Sequence, residues 1–350
     1  MTITNRTRSG TSSPRPRWLV RWRSGWSAPA TRRVIGVGLA ALSGVASSVQ
    51  ALVNGELGAR LDDGVLAALV SFGTGLTLMT ILVASTRTGR QSFQAVGRAL
   101  RGGQLRWWQL LGGVSGGFVV ASQGIAVATL GVAVFTVALV AGQSGSSLMV
   151  DRAGLSPSGA QPVTTARVVG AGLCVLAVLV SVADQFHAPQ TLWLTALPLL
   201  AGAAVAWQQA VNGWVRVVSN SVRAASLVNF MVGGAALLVG MAISVAVRGW
   251  PSGQFPTEPW LYTGGLLGAV VVAVGATVVR LTGVLLLMLG TISGQLLGAL
   301  AVDLVAPTAT PPTLVTCAGA GLALLAVLIT LRPSGPRRGA VRKGGRGGHR

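Results

Sequence analysis

Ten uncharged, apolar stretches, most of them about 20 residues long, constrain this chain more than any other feature. They cover 34–55, 64–84, 107–129, 131–150, 168–183, 191–215, 224–247, 260–279, 283–302 and 312–331. An apolar helix of about 20 residues crosses the hydrocarbon core of a bilayer. Only helices and closed barrels pair all of their backbone groups in lipid, and the short alternating segments of a barrel are not seen in this sequence. The sequence therefore predicts an all-α integral membrane protein with ten transmembrane helices.

The composition supports this class and excludes others. Hydrophobic residues make up 51% of the chain and charged residues only 10%, whereas about a quarter of the residues in soluble domains are charged. A soluble enzyme and a disordered chain are both excluded on this ground. The net charge of +20 does not predict a nucleic-acid partner, because 15 of the 27 basic residues lie in the tails 1–33 and 332–350. No folded basic face is left to bind nucleic acid.

The distribution of basic residues predicts the orientation of the chain. With the N-terminus in the cytoplasm, 25 basic residues fall on the inner side, and only Arg60 and Arg248 fall outside. The positive-inside rule then predicts that both termini are cytoplasmic. In the tail 1–33, tryptophans recur every fourth residue, which predicts either an interfacial helix over 17–27 or an irregular basic arm. The glycine-rich tail 332–350 is predicted to be disordered.

The two halves of the chain repeat each other. Gln50, Asn54 and the run Leu69-Val70-Ser71-Phe72 recur 158 residues later as Gln208, Asn212 and Leu227-Val228-Asn229-Phe230. After the second stretch the offset is 152, and Gly112, Gln143 and Asp151 match Gly264, Gln295 and Asp303. Such a colinear series indicates duplication. Because each unit has an odd number of stretches, 34–183 and 193–331 are predicted to be inverted five-helix repeats joined by an outer linker, 184–192, an arrangement typical of secondary transporters.

Seven amide side chains lie within the apolar stretches. They are Gln50, Asn54, Gln123, Gln143, Gln208, Asn212 and Gln295. Amides facing lipid are costly, so these side chains should face other helices or a wet cavity. One interpretation is a pathway for a polar, neutral solute, and the other is hydrogen bonding between helices, worth roughly 0.6–2 kcal/mol per bond. Repetition of the amides in both units favours the pathway.

Glu56 is the remaining candidate for a functional side chain. It is placed just past the end of the first stretch, where it would bind a coupling proton or cation, or would act only as a solvated charge beside Arg60. No cluster of His, Asp or Ser points to catalysis. Cys174 and Cys317 lie inside apolar runs and are predicted to be buried, not to form a disulfide or a metal site. We expect no metal and no cofactor.

Three motifs carry a family resemblance. The run Gln50-Ala-Leu-Val-Asn54-Gly55, the Trp107-Trp108 pair followed by Gly112-Gly113, and the segment from Ala141-Gly142-Gln143 to Asp151 resemble the YdcZ family of the drug/metabolite transporter (DMT) superfamily. The resemblance covers about 34–331. It implies an EamA-like fold of two inverted five-helix units around a central cavity. The seven amides fall on the helices that line this cavity in that superfamily.

The resemblance also implies a function. It predicts a secondary active transporter that exports a small polar metabolite or toxic compound by alternating access, with a proton or a cation as the coupling ion. One departure is informative: the related small multidrug resistance proteins carry a carboxylate in the middle of the first helix, where this chain has Ser43-Gly44-Val45. Proton-coupled export of cations by that mechanism is therefore not expected. The alternative is a non-transporting scaffold or lipid-binding membrane protein.

Overall fold

The computed structural model describes residues 30–157, 159–160, 163–181, 183, 193–282, 284–306 and 313–330. Within these residues the chain forms eleven α-helices and no strand. The helices are α1 (Ala30–Leu61), α2 (Gly64–Ala84), α3 (Arg87–Arg101), α4 (Gly112–Leu130), α5 (Val132–Arg152), α6 (Thr165–Ser181), α7 (Ala196–Ser219), α8 (Val222–Arg248), α9 (Gly264–Thr282), α10 (Val284–Val305) and α11 (Leu314–Thr330). The predicted interfacial helix over 17–27, the linker 184–192 and the tail 332–350 lie outside the described residues.

Six segments are long and apolar enough to cross a membrane. They are Val34–Leu61, Gly64–Ala84, Trp107–Leu130, Val132–Arg152, Trp193–Ser219 and Val222–Arg248. Four shorter apolar helices accompany them, at Thr165–Ser181, Gly264–Val274, Gly290–Val305 and Leu314–Ile329. The described chain is thus an all-helical protein with at least six helices of membrane-spanning length and composition.

The first helix is longer than the sequence predicts. α1 continues six residues beyond the expected end at 55 and stops at Leu61, where Asp62 adopts a left-handed backbone with φ of 52°. The side chain of Asp63 then caps α2 by accepting a hydrogen bond from the backbone N–H of Leu66 at 2.8 Å. The placement of Glu56 past the helix end is therefore wrong, because Glu56 lies within the last turns of α1.

The Arg-rich connection after α2 is also a helix, α3, where the sequence analysis expected a loop. Thr86 caps it by accepting from the N–H of Gly89 at 3.1 Å. Phe93, Val96 and Ala99 lie on one face and pack with side chains of α7 and α8. The apolar residues are three positions apart, as on one face of an amphipathic helix. This apolar pattern is short and arginines lie between its members, so the sequence analysis did not recognise it.

Two helices stand apart from the central bundle. α6 packs against α11 and α5, and α11 packs chiefly against α6, with smaller contacts to α10 and α5. The other long helices form the centre, in which α1 packs on α4, α9 and α10, and α7 packs on α4 and α5. With this pair at the edge and α3 beside α7 and α8, the other eight described helices surround the middle of the molecule.

Contacts between the two halves occur in equivalent pairs. A Cβ added to Gly44 would collide with the backbone of Thr291 and Gln295, and a Cβ added to Gly202 would collide with the backbone of Leu139 and Gln143. Gly202 is 158 residues after Gly44, and Leu139 is 152 residues before Thr291, the same two offsets that relate the repeated motifs. The repeat in the sequence is therefore also a repeat of the contacts by which each half holds the other.

Candidate functional site

A cavity of about 680 Å³ lies among α1, α2, α4, α5, α7, α8, α9 and α10. Most of its polar lining consists of amides and hydroxyls: Ser43, Ser47, Gln50, Ser71, Gln123, Gln143, Gln208, Gln209, Asn212, Ser226, Asn229, Thr291 and Gln295. The aromatic rings of Phe72 and Phe230 also contribute. This volume is within the range of about 300–1,000 Å³ that is typical of small-molecule sites.

The structure brings six of the seven predicted amides to this cavity. Gln50, Gln123, Gln143, Gln208, Asn212 and Gln295 all line it. Asn54 does not; its side chain is fully buried and donates from Nδ2 to Oε1 of Gln123 at 2.7 Å. Asn54 therefore joins α1 to α4, the second of the two interpretations given for the amides. Substrate binding by the other six stays a prediction.

Asn54 and Asn212 occupy equivalent positions against glycines of the other half. A Cβ at Gly264 would collide with the Asn54 side chain, and a Cβ at Gly112 would collide with the Asn212 side chain. The carbonyl oxygen Oδ1 of Asn54 is buried without a hydrogen-bond partner. Only glycine lets α9 approach this oxygen so closely, which accounts for the repeated Asn and Gly in the two motifs.

Asn229 is a cavity residue that the sequence analysis did not select. Its Oδ1 accepts hydrogen bonds from Nε2 of Gln208 and from Nδ2 of Asn212, both at 2.9 Å. The equivalent residue in the first half is Ser71, which also lines the cavity. The signal was the single difference between Leu69-Val70-Ser71-Phe72 and Leu227-Val228-Asn229-Phe230. A polar residue inside an otherwise apolar repeated motif indicates a side chain that faces a water-filled cavity or forms hydrogen bonds with another helix.

Arg216 is the single charged side chain among the described residues that line the cavity. It is in the last turn of α7, is exposed, and lies near Val222 and Ser226 of α8, which also line the cavity. No carboxylate is part of the described lining. The cavity therefore offers amide donors and acceptors together with one cation at its edge.

The cavity extends to one end of the bundle and is closed at the other. Gly58 and Gly64, near the junction of α1 and α2, lie directly against the backbone of Gly124, so that an added Cβ would collide there. Their equivalents at the opposite end are Arg216 and Val222, which line the cavity. Backbone-to-backbone contact thus closes one end, and the matching positions at the other end are open.

Polar contacts from the loop after α8 cover the closed end. Ser252 donates to Oδ2 of Asp62 at 2.9 Å, and Arg60 lies 3.6 Å from Glu258. Glu56 belongs to this cluster, since its Oε1 accepts from Nε of Arg60 at 2.9 Å and its side chain is 34% exposed. Glu56 is not part of the cavity lining. This position agrees with the second interpretation of Glu56, a solvated charge beside Arg60. Binding of a coupling ion by Glu56 stays a prediction.

Asp303 forms a different kind of polar site. Its two carboxylate oxygens accept hydrogen bonds from the backbone N–H groups of Val132 at 2.9 Å and Ala133 at 2.7 Å. These are the first free N–H groups of α5, so the carboxylate caps that helix and interacts favourably with its dipole. Asp303 is buried. Its role is to join α10 to α5, outside the cavity.

Metal ligands do not gather in the described part of the chain, where no group of three or more His, Cys, Asp and Glu side chains occurs. Cys174 is buried and Cys317 is exposed, and both are free thiols. Burial of Cys317 was expected from the sequence, and the structure contradicts it because Cys317 lies on the outward face of the peripheral helix α11.

An apolar helical bundle that encloses a polar cavity is the architecture of a membrane transporter. The family model described as "Putative inner membrane exporter, YdcZ" matches the chain twice, at residues 35–180 and 193–329. The chain belongs to this family and contains two copies of its unit. The resemblance derived from the motifs is confirmed, and the family is one of membrane exporters. No curated protein matches the chain in sequence.

Proposed function

We propose that this protein is a secondary active transporter that exports a small polar solute through the central cavity by alternating access. In this proposal ten helices cross the bacterial inner membrane as two inverted five-helix repeats, 34–183 and 193–331, with both termini in the cytoplasm. α3 is then a surface helix on the inner side. The paired contacts of Gly44 and Gly202 support the inverted repeat, because each half holds the other through equivalent residues.

One observation carries the proposal: the cavity of about 680 Å³ is lined by amides and hydroxyls in the middle of an apolar bundle. Polar side chains in a membrane interior are expensive and usually face a pathway or one another. Gln143 and Gln295, which are equivalent in the two repeats, both line the cavity. A scaffold or a lipid-binding protein, the alternative, has no need of this lining.

The charge of the lining favours a neutral or anionic solute. Arg216 is the single charged group of the described lining, and a solute cation would meet no carboxylate there. Amides donate and accept hydrogen bonds equally well, which suits hydroxyl, amide and carboxylate groups of a metabolite. The coupling ion in this proposal is a proton or a cation, and its binding site is not assigned.

The arrangement of open and closed ends fits an inward-facing state. With the N-terminus in the cytoplasm, the contact of Gly58 with Gly124 lies at the outer side, and Arg216 lies at the inner mouth. Solute would then enter from the cytoplasm and bind among the amides. Separation of α1 from α4 would open the outer side, while closure around α7 and α8 would seal the inner side.

Thermal unfolding of the purified protein in detergent, against a panel of metabolites, amino acids, sugars and lipophilic cations, tests this function. A ligand that binds only the native state adds RT ln(1 + [L]/Kd), or about 2.7 kcal/mol at a hundredfold excess over Kd. We expect stabilisation by one class of neutral or anionic solute, lost in Gln143→Leu and kept in Gln104→Leu, which alters an exposed glutamine after α3. A well-folded protein that no polar solute stabilises would contradict the proposal and favour the scaffold.

A further inference from the structure

We infer that a second site, separate from the cavity, binds one anionic phospholipid in a groove between α3 and α8. The groove has a volume of about 620 Å³. Its floor is formed by the buried side chains of Val96 in α3 and Val228 in α8, and its open side by the exposed side chains of Leu100 (37%) and Met231 (45%). Arg98 and Arg101 of α3 line the same groove. This inference does not depend on transport.

The groove and the cavity lie on opposite faces of α8. Val228 and Met231 line the groove, whereas Ser226 and Asn229 line the cavity. A ligand in the groove would therefore rest on the outside of the bundle, where lipid surrounds the protein, and would not reach the amides. The two sites share a helix but no side chain.

The charge of the groove points to a phosphate. Segment 87–106 contains five arginines and no acidic residue. Among the described residues no carboxylate lies within ion-pair distance of Arg98 or Arg101, in contrast to Arg167, which pairs with Asp151. Arg90 differs as well, because its guanidinium donates to the carbonyl oxygen of Ala84 at the end of α2. Two exposed guanidinium groups without a protein anion can each donate hydrogen bonds to the oxygens of a phosphodiester.

The apolar surface beside these arginines selects a lipid over a soluble phosphate. An anion alone would leave the exposed side chains of Leu100 and Met231 uncovered, whereas an acyl chain would cover them while the headgroup meets Arg98 and Arg101. Basic pockets on the cytoplasmic side of membrane helices recognise anionic headgroups in this way. Trp107, which follows α3 in the chain and is 69% exposed, is a suitable interfacial anchor.

Native mass spectrometry of the full-length protein, released from mixed micelles of phosphatidylglycerol and phosphatidylcholine, tests the site. We expect one phosphatidylglycerol to be retained in preference to phosphatidylcholine. Arg98→Gln/Arg101→Gln should reduce this retention by about fivefold for each arginine removed. Arg87→Gln/Arg152→Gln is the matched control, since it removes two exposed arginines that do not line the groove, and it should retain the lipid as the native chain does.

A second variant tests the apolar part of the groove. Met231→Trp fills the open side without changing the charge, and we expect it to lower phosphatidylglycerol retention. Retention unchanged in Arg98→Gln/Arg101→Gln, or lost equally in the control, would overturn the inference. Displacement of the lipid by inorganic phosphate at equal concentration would also overturn it, because it would mean that the apolar groove adds nothing to binding.

Discussion

Phe72 and Phe230 meet edge to face across the boundary between the two repeats, with ring centroids 5.2 Å apart and ring planes at 65°. Each is the equivalent of the other, 158 residues apart. Equivalent residues can touch each other only near the axis that relates the repeats. In the inverted repeat that we propose, this pair therefore lies beside the axis, between α2 and α8 and at the wall of the cavity.

The Phe72–Phe230 pair predicts a sensitive position in each repeat. A Cβ at Gly75 would collide with the Phe230 ring, and a Cβ at Gly233 would collide with the Phe72 ring. Gly75→Ala and Gly233→Ala should each destabilise the protein by about 1–3 kcal/mol, because an overpacked core must shift side chains or backbone. Thermal unfolding in detergent measures this loss.

Neighbouring glycines provide the controls. A Cβ at Gly73 or at Gly234 has nothing within 4 Å. Gly73→Ala and Gly234→Ala should leave stability unchanged or raise it by about 0.5–1 kcal/mol, because alanine has the higher helix propensity. Equal effects at Gly75 and Gly73 would mean that the ring contact does not limit packing.

Asp303 should be more important for stability than its equivalent, Asp151. Asp303→Ala leaves the N–H groups of Val132 and Ala133 without their acceptor in a buried setting, at an expected cost of about 1–3 kcal/mol. Asp151 is only partly buried and pairs with Arg167. Asp151→Ala should cost less, about 1 kcal/mol or below. Urea unfolding monitored by tryptophan fluorescence compares the two, and a reversed order would contradict the capping role.

The paired glutamines of the cavity should be essential for transport and dispensable for folding. Gln143→Leu/Gln295→Leu removes two equivalent amides from the lining while keeping side chains of similar size. We expect the double variant to insert and melt as the native protein does and to lose transport of any solute identified by thermal unfolding. Counterflow in proteoliposomes measures this, and an unchanged rate would refute the assigned role of the two amides.

The closed end predicts which side of the membrane reaches the cavity. In a chain with Cys174→Ala and Cys317→Ala, Ser226→Cys places one thiol in the cavity lining. A membrane-impermeant maleimide should label it from the cytoplasmic side only. Adding Gly58→Ala forces α1 away from the Gly124 backbone and should permit labelling from the outer side.

Gly38→Ala is the control for this experiment. Gly38 lies on the same helix as Gly58, and a Cβ added there has no atom within 4 Å. This substitution should leave the labelling on the cytoplasmic side. Labelling from the outer side in the absence of any substitution in α1 would show that the contact between Gly58 and Gly124 does not close the cavity.

Much of this arrangement follows from local sequence patterns. Uncharged stretches predicted the long helices, and the offsets of 158 and 152 predicted which residues would be equivalent. Six of seven amides could be assigned to the cavity because a polar side chain in an apolar helix has few other places to go. Asn54 could not be distinguished from Asn212 by sequence. Its hydrogen bond to Gln123 depends on how α1 and α4 pack.

What the sequence analysis missed depends on tertiary contacts. α3 was expected to be a loop because its arginines conceal a short apolar face, which becomes recognisable only against α7 and α8. The capping role of Asp303 joins residues about 170 positions apart, so no local pattern contains it. The extended end of α1 likewise packs, through Gly58, against Gly124 of another helix, a contact that no local pattern contains.

The two halves of the chain differ in the residues that lie at the ends of the cavity. Gly58 and Gly64 allow backbones to meet at one end, whereas Arg216 and Val222 occupy the matching positions at the other. The end of the cavity at Arg216 and Val222 cannot be sealed by the same contact, because side chains occupy the positions at which glycines let the backbones meet at the other end. In the proposed transport cycle the two conformations therefore differ in free energy before any solute binds, and this difference sets which of them is more populated at rest, while the gradients of solute and coupling ion alone set the direction of transport.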